Sequence, residues 1–259
     1  MTLSPLPVAK RKRKFLEEPE TQTQAVLAKD NTAKRLFLFD IDGTLLASGG
    51  AGKSALRESM RTQFQVEEDF AGILLAGVTD GAIARALLTK QSLPVTPENI
   101  TRLLDGYIVH LREQMSLHPG SLCPGILELL ELLHSRSDCV LGLLTGNINR
   151  GAEIKLKHYG VWHYFEFGAF GDDHHNRNEL GRFAKSRARE AHGIEFPSDL
   201  IYVIGDTPKD IDCGRAIGAH TVAIATGDYS SEELHKHKPD FLFEDLRDTK
   251  KVIRLLCDN

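Results

Sequence analysis

Three apolar runs in this chain end in the same way, and that repetition restricts the fold more than any other feature. Residues 36–41 read LFLFDI and stop at Asp42-Gly43; residues 140–147 read VLGLLTGN; residues 200–210 read LIYVIGDTPKD. Each is a short apolar run of strand length that passes at once into Gly, Thr or Asp, as a buried strand ends in a turn. Helical patterns separate them, including residues 125–134, with leucines at helical spacing, and residues 150–158. Strands alternating with helices predict an α/β fold, a Rossmann-like doubly wound parallel sheet with helices on both faces. In such sheets ligands bind at the carboxyl ends of the strands, where all three runs place their polar residues.

The alternation is interrupted over residues 47–118 by mostly helical patterns at residues 54–64, 80–89 and 97–115. The last of these is opened by Thr96-Pro97-Glu98-Asn99, a helix-start signature. This predicts a helical cap inserted after the first strand, with a catalytic core formed by residues 34–46 and 119–259. Residues 1–33 carry three prolines, the basic run Lys10-Arg11-Lys12-Arg13-Lys14 and the acidic patch Glu17-Glu18-Glu20, with few large apolar residues, and read as a disordered tail. The basic run is also a pattern for nuclear import. With 41% hydrophobic and 26% charged residues and a net charge of -4, the chain has no bias toward nucleic acid or an anionic membrane. Its four cysteines form no CxxC pair or zinc spacing, and no apolar stretch is long enough to span a bilayer. A cytoplasmic protein is expected; the sequence specifies no oligomeric state.

Displacement at phosphorus needs a nucleophile, a proton donor for the leaving oxygen, a cation against the phosphoryl oxygens and donors that hold the phosphate. The strand ends supply candidates for each. Asp40 and Asp42 are two carboxylates two residues apart at a strand end, and Gly43 permits a sharp turn after them. Thr145 offers a hydroxyl, and the backbone around Gly146 and Asn147 offers amides, to a phosphate oxygen. Asp206 and Asp210 lie on one loop-to-helix turn and suit a hard, oxygen-liking cation such as magnesium. Each feature taken alone is also an ordinary helix cap or solvated strand end.

Together they resemble the haloacid-dehalogenase superfamily of phosphohydrolases, with its DxDGT(L/V), strand-terminal Ser or Thr, and GDxxxD motifs. Asp40, Asp42, Gly43, Thr44, Thr145, Gly205, Asp206 and Asp210 match in order and spacing. The segments GGAG near Gly49, GVTD near Gly77, LLTGN near Thr145 and FGAFGDDHHNRNEL near Gly168 also resemble the phosphoglycolate-phosphatase-like branch with a helical cap. The resemblance implies a phosphatase acting on a small phosphorylated metabolite, with Asp40 as the nucleophile that becomes an aspartyl-phosphate. It makes Asp42 the general acid and then base, and places Gly43, Thr44, Gly146 and Asn147 at the substrate. It also implies Mg2+ held by Asp40, the backbone carbonyl of Asp42 and Asp206, with Asp210 positioning the metal site.

The superfamily's third motif is normally a Lys, often before Pro, and no Lys-Pro stands at that place. Arg177, in HNRNEL, is the expected substitute, since a guanidinium supplies the same charge with a bidentate grip. Arg182 and Lys185 are alternatives. Lys155 is placed lower, because ten residues of helix after Thr145 amount to about 15 Å of rise. Gly77, Thr79, Asp80 and Arg85 are the cap residues expected to choose the substrate. Phosphoglycolate is the substrate the resemblance suggests. A phosphomutase using the same aspartates, a nucleotide-binding P-loop at GGAGKS (residues 49–54), and a catalytically silent binding protein are the competing readings. The P-loop reading is opposed by Ala47, where that pattern requires Gly, and the silent reading by the presence of both Asp40 and Asp42.

Overall fold

The computed structural model describes Met1 and residues 34–258; apart from Met1, the tail expected over residues 1–33 lies outside the described residues. In chain order the elements are β1 (Arg35–Phe39), β2 (Leu46–Ala47), α1 (Ala51–Phe64), α2 (Asp80–Lys90), α3 (Pro97–Leu117), β3 (Ser121–Leu122), α4 (Ile126–His134) and β4 (Cys139–Leu144). They continue with α5 (Asn149–His158), β5 (Gly168–Ala169), α6 (Leu180–His192), β6 (Ile201–Gly205), α7 (Pro208–Ala216), β7 (His220–Ile224), α8 (Ser231–His235), β8 (Phe241–Phe243) and α9 (Thr249–Leu256).

Six strands form one parallel sheet in the order β5-β4-β1-β6-β7-β8. The three runs singled out in the sequence are its three central strands, with β1 pairing Leu36 to Val140 on one side and to Ile201 on the other. Period-two alternation along β1 sends Phe37 and Phe39 into one core cluster and Leu36 and Leu38 into another, all fully buried. The first cluster is closed by leucines of α4 and α9, the second by Leu180, Ala184 and Ala188 of α6. Burying each such Leu or Phe contributes about 1.5–3 kcal/mol, so the central strands are the rigid base on which the polar strand ends rest.

β1 is shorter than its apolar run. The chain turns at Ile41, whose carbonyl accepts from the amides of Thr44, Leu45 and Leu46, so Asp40 and Ile41 lie past the strand end. Gly43 takes φ +82° in this turn, and a Cβ there would lie 2.3 Å from Asp206 Oδ2; any side chain would push the two strand ends apart.

Helices α1, α2 and α3 lie between β2 and β3, which pair antiparallel as a two-residue ribbon. They bury their own apolar cluster, including Leu56, Leu87, Leu103 and Tyr107, which reaches the core at Ile148. Thr79 and Thr96 cap α2 and α3 by accepting the amides of Ala82 and Asn99, and Pro97 occupies the first turn of α3. The glycines of the GGAGKS segment belong to this junction. Gly50 is the left-handed N-cap of α1, and a Cβ on Gly49 would strike the Pro119 carbonyl at 2.4 Å. A P-loop requires a central strand directly before it; here the preceding element is the ribbon, which excludes that reading.

Candidate active site

The ends of β1, β4 and β6 converge on a cavity of about 410 Å3 between the core and the helical insert. Asp40, Asp42, Gly146, Asn147, Arg177 and Asp206 line it from the core, and Lys53, Leu56, Leu75 and Ile83 from the insert.

Asp40 follows β1, with its amide still bonded to the Ile204 carbonyl at 2.9 Å and its side chain buried. Arg177 stands 3.0 Å from Asp40 Oδ1 and also pairs with Asp210 Oδ1. Burial raises the Asp40 carboxyl to about 6, with Asp210 and Asp42 adding to the rise and Arg177 opposing it. Asp206, after β6, accepts the Thr44 hydroxyl at 2.9 Å. Burial, followed by the charges of Asp210 and Asp40, pushes it up to about 8. Asp210 closes a capping box on α7, accepting the amide and hydroxyl of Thr207 at 3.0 and 2.7 Å through Oδ2.

Asp40, Asp206 and Asp210 each offer an oxygen, all within 4.8 Å of one another. Three buried carboxylates face one buried cation, Arg177, in this cluster, and the rise at Asp206 comes first from burial and then from the uncompensated charge of Asp210 and Asp40. An all-oxygen, anionic set of this kind fits a hard divalent cation. The Asp42 side chain stands apart from it: Oδ2 accepts Asn147 Nδ2 at 2.8 Å and Lys155 Nζ at 2.6 Å.

Several placements differ from the sequence reading. Thr44, expected at the substrate, is fully buried and directs its hydroxyl to Asp206, so it braces an acid instead. Thr145 is likewise fully buried; its Oγ1 accepts from the Asn147 amide at 3.3 Å and from Asn147 Nδ2 at 2.9 Å. Gly43, Gly146 and Asn147 do line the cavity. Arg177 is brought to Asp40, whereas Arg182 pairs with Glu179 near the surface and Lys185 reaches Ser198. Of the insert residues, Gly77 and Asp80 line the cavity, Thr79 caps α2 and donates to the His175 carbonyl, and Arg85 is exposed.

Lys155 is the main correction. The rise counted from Thr145 overestimates its distance because α5 begins only at Asn149, leaving six residues, about 9 Å, of helix before it. A lysine side chain leaning back toward the helix start covers most of that. A signal was present: Gly151, Ala152, Lys155 and Leu156 form the buried stripe of α5, an unusual place for an unpaired lysine. Burial disfavours its charge, but Asp42, Tyr107 and Asp80 outweigh that and hold the ammonium above its ordinary range. Asp80, buried at the start of α2, accepts the Ile148 amide at 2.8 Å and donates its own amide to the Gly146 carbonyl, clasping insert to core.

The family model of haloacid dehalogenase-like hydrolases matches residues 37–215, well over half of the chain. The chain belongs to that family. Within it, this haloacid dehalogenase-like hydrolase falls in the phosphoglycolate-phosphatase-like branch, and its enzyme class is that of a phosphoric monoester hydrolase. It is 25% identical over 222 residues to a phosphoglycolate phosphatase of Aliivibrio fischeri, covering 82% of this chain and 93% of that one. A pyrophosphatase, PpaX, of Bacillus pumilus is 29% identical over 131 residues, 49% of this chain and 57% of that one. The crystal structure of a hydrolase from Pseudomonas syringae superposes with a TM-score of 0.67 at 22% identity, over 86% of this hydrolase and 99% of its counterpart.

Proposed function

We propose that this phosphatase hydrolyses a small phosphate monoester by way of an aspartyl-phosphate on Asp40. The observation that carries the reading is the division of labour between the two aspartates. Asp40 is buried beside Arg177 and the acidic cluster, whereas the Asp42 side chain is 42% exposed and held by separate donors. An Asp40 carboxylate oxygen attacks phosphorus, the bond to the leaving oxygen breaks, and Asp42 hands that oxygen its proton. A water then attacks the phosphoryl group and gives a proton to Asp42. The Asp40–phosphorus bond breaks, and inorganic phosphate and the alcohol are the products.

Asp40, Asp206 and the backbone carbonyl of Asp42 would hold Mg2+, with Thr44 bracing Asp206, and Asp210 positioning the site through Arg177. When bound, the ion supplies positive charge against the phosphoryl oxygens. Arg177 offsets charge between Asp40 and the incoming phosphate, and its Nε, buried without a hydrogen-bond partner, is a donor left for an anion. Gly146, which lines the cavity at the end of β4, holds the phosphate there, while the donors of Asn147 are committed to Thr145 and Asp42. The helical insert serves as a cap that excludes water, and a cavity of about 410 Å3 limits the substrate to metabolite size. Phosphoglycolate is the first substrate to try, on the similarity to relatives of that name.

The test is magnesium-dependent phosphate release from para-nitrophenyl phosphate and from a panel of small phosphorylated metabolites that includes phosphoglycolate and pyrophosphate. Asp40→Asn is expected to lower release by at least about 10³-fold with the fold intact. Retained activity would remove Asp40 as the nucleophile.

A further inference from the structure

Lys155 is a buried cation on α5 that the reaction described above does not use. It is 4% exposed, and its ammonium donates to Asp42 Oδ2 at 2.6 Å and to Asn147 Oδ1 at 2.7 Å, with the hydroxyl of Tyr107 beside it. Tyr107 comes from α3 of the insert and is itself 1% exposed. Asn147 completes a closed set, donating through Nδ2 to the same Asp42 Oδ2 at 2.8 Å and to Thr145 Oγ1 at 2.9 Å.

The chemistry of this set is one-sided. An ammonium and an amide NH2 only donate, so Asp42 Oδ2 is an acceptor whether or not the carboxyl group carries a proton. A proton on Asp42 therefore sits on Oδ1. We propose that Lys155 is a positioning residue for Asp42, fixing its carboxyl group so that the proton-bearing oxygen is the one presented to the leaving group. Because the Tyr107 hydroxyl lies beside Lys155, the setting of Asp42 is shared between core and insert. A floppy half-exposed carboxyl group would give its proton in many orientations; one pinned through Oδ2 gives it in one.

This inference rests on the assignment of Asp42 as general acid and is tested by leaving-group dependence. The measurement is kcat/KM for wild type and Lys155→Met over aryl phosphates from dinitrophenyl to phenyl phosphate. Dinitrophenolate departs without a proton, whereas phenolate needs one. Lys155→Met is expected to lose about threefold or less on the dinitrophenyl ester and about 10²-fold on the phenyl ester. A loss equal across the series, or no loss, overturns the positioning role while leaving the phosphatase reading intact. Absence of wild-type turnover on every ester overturns both. If Lys155→Met does not melt cooperatively, Lys155→Gln, which keeps a donor without the charge, is judged by the same criterion. Tyr107→Phe is expected to show the same steepening at smaller amplitude.

Discussion

Arg177 and Lys155 are both buried cations paired with aspartates of one DxD segment, yet they are built into the molecule differently. Arg177 lies in a one-turn helix before α6 and bridges Asp40 and Asp210, both buried and both supplied by the core. Lys155 reaches an Asp42 side chain that is 42% exposed, and the Tyr107 hydroxyl beside it comes from the insert. The proposed nucleophile, Asp40, is thus set by core elements alone, and the proposed proton donor, Asp42, by the core together with the part of the chain that covers it. Under the proposed roles, chemistry at phosphorus and commitment of the leaving group respond to different parts of the fold.

The widest break in that contrast is expected from Arg177→Met. It leaves Asp40 and Asp210 buried without their cation, a change that costs about 3–5 kcal/mol of stability in urea unfolding and removes most phosphate release. Lys155→Met should cost less stability, because solvent reaches the carboxylate it abandons; equal losses for the two would erase the distinction. A second test uses pH. Asp40, Asp80 and Asp206 are raised by burial, to about 6, 6 and 8. A raised carboxyl favours the folded state while protonated. Metal-free protein should therefore be most stable below about pH 4 with respect to these groups, and its melting temperature should fall as pH rises toward 8. Added Mg2+ should restore most at the alkaline end; a gain independent of pH would separate the acids from the ion. The smallest effect is expected from Thr44→Val, which removes one hydrogen bond to Asp206. A rise of severalfold in the Mg2+ concentration for half-maximal activity, with kcat nearly kept, would place Thr44 as a brace.

The central strands were legible because long apolar runs ended in polar residues, and the end of each run named an acid or a hydroxyl that the fold brings together. The outer strands were not. β5 is two residues of Gly-Ala and β8 three residues of FLF, too short to carry a period, and only pairing with β4 and β7 makes them strands. Among site residues, Arg177 could be found by counting back from Asp206. Lys155 left only a partial signal, its place on the buried stripe of α5, because the carboxylate it pairs with, Asp42, is 113 residues away in sequence. Thr44 was misplaced for a related reason. Its position in the DGT run is local, but its partner, Asp206, is 162 residues away.

The ribbon of β2 and β3 has a practical meaning. Ala47 pairs with Ser121, so the chain departs from the core and returns to it at one point. For protein engineering that pairing is a cut-and-paste boundary. The segment between could be exchanged for that of a relative without disturbing the register of the parallel sheet, provided that Asp80 and Tyr107 travel with it. Such chimeras would let leaving-group preference be recast on an unchanged phosphate-handling base.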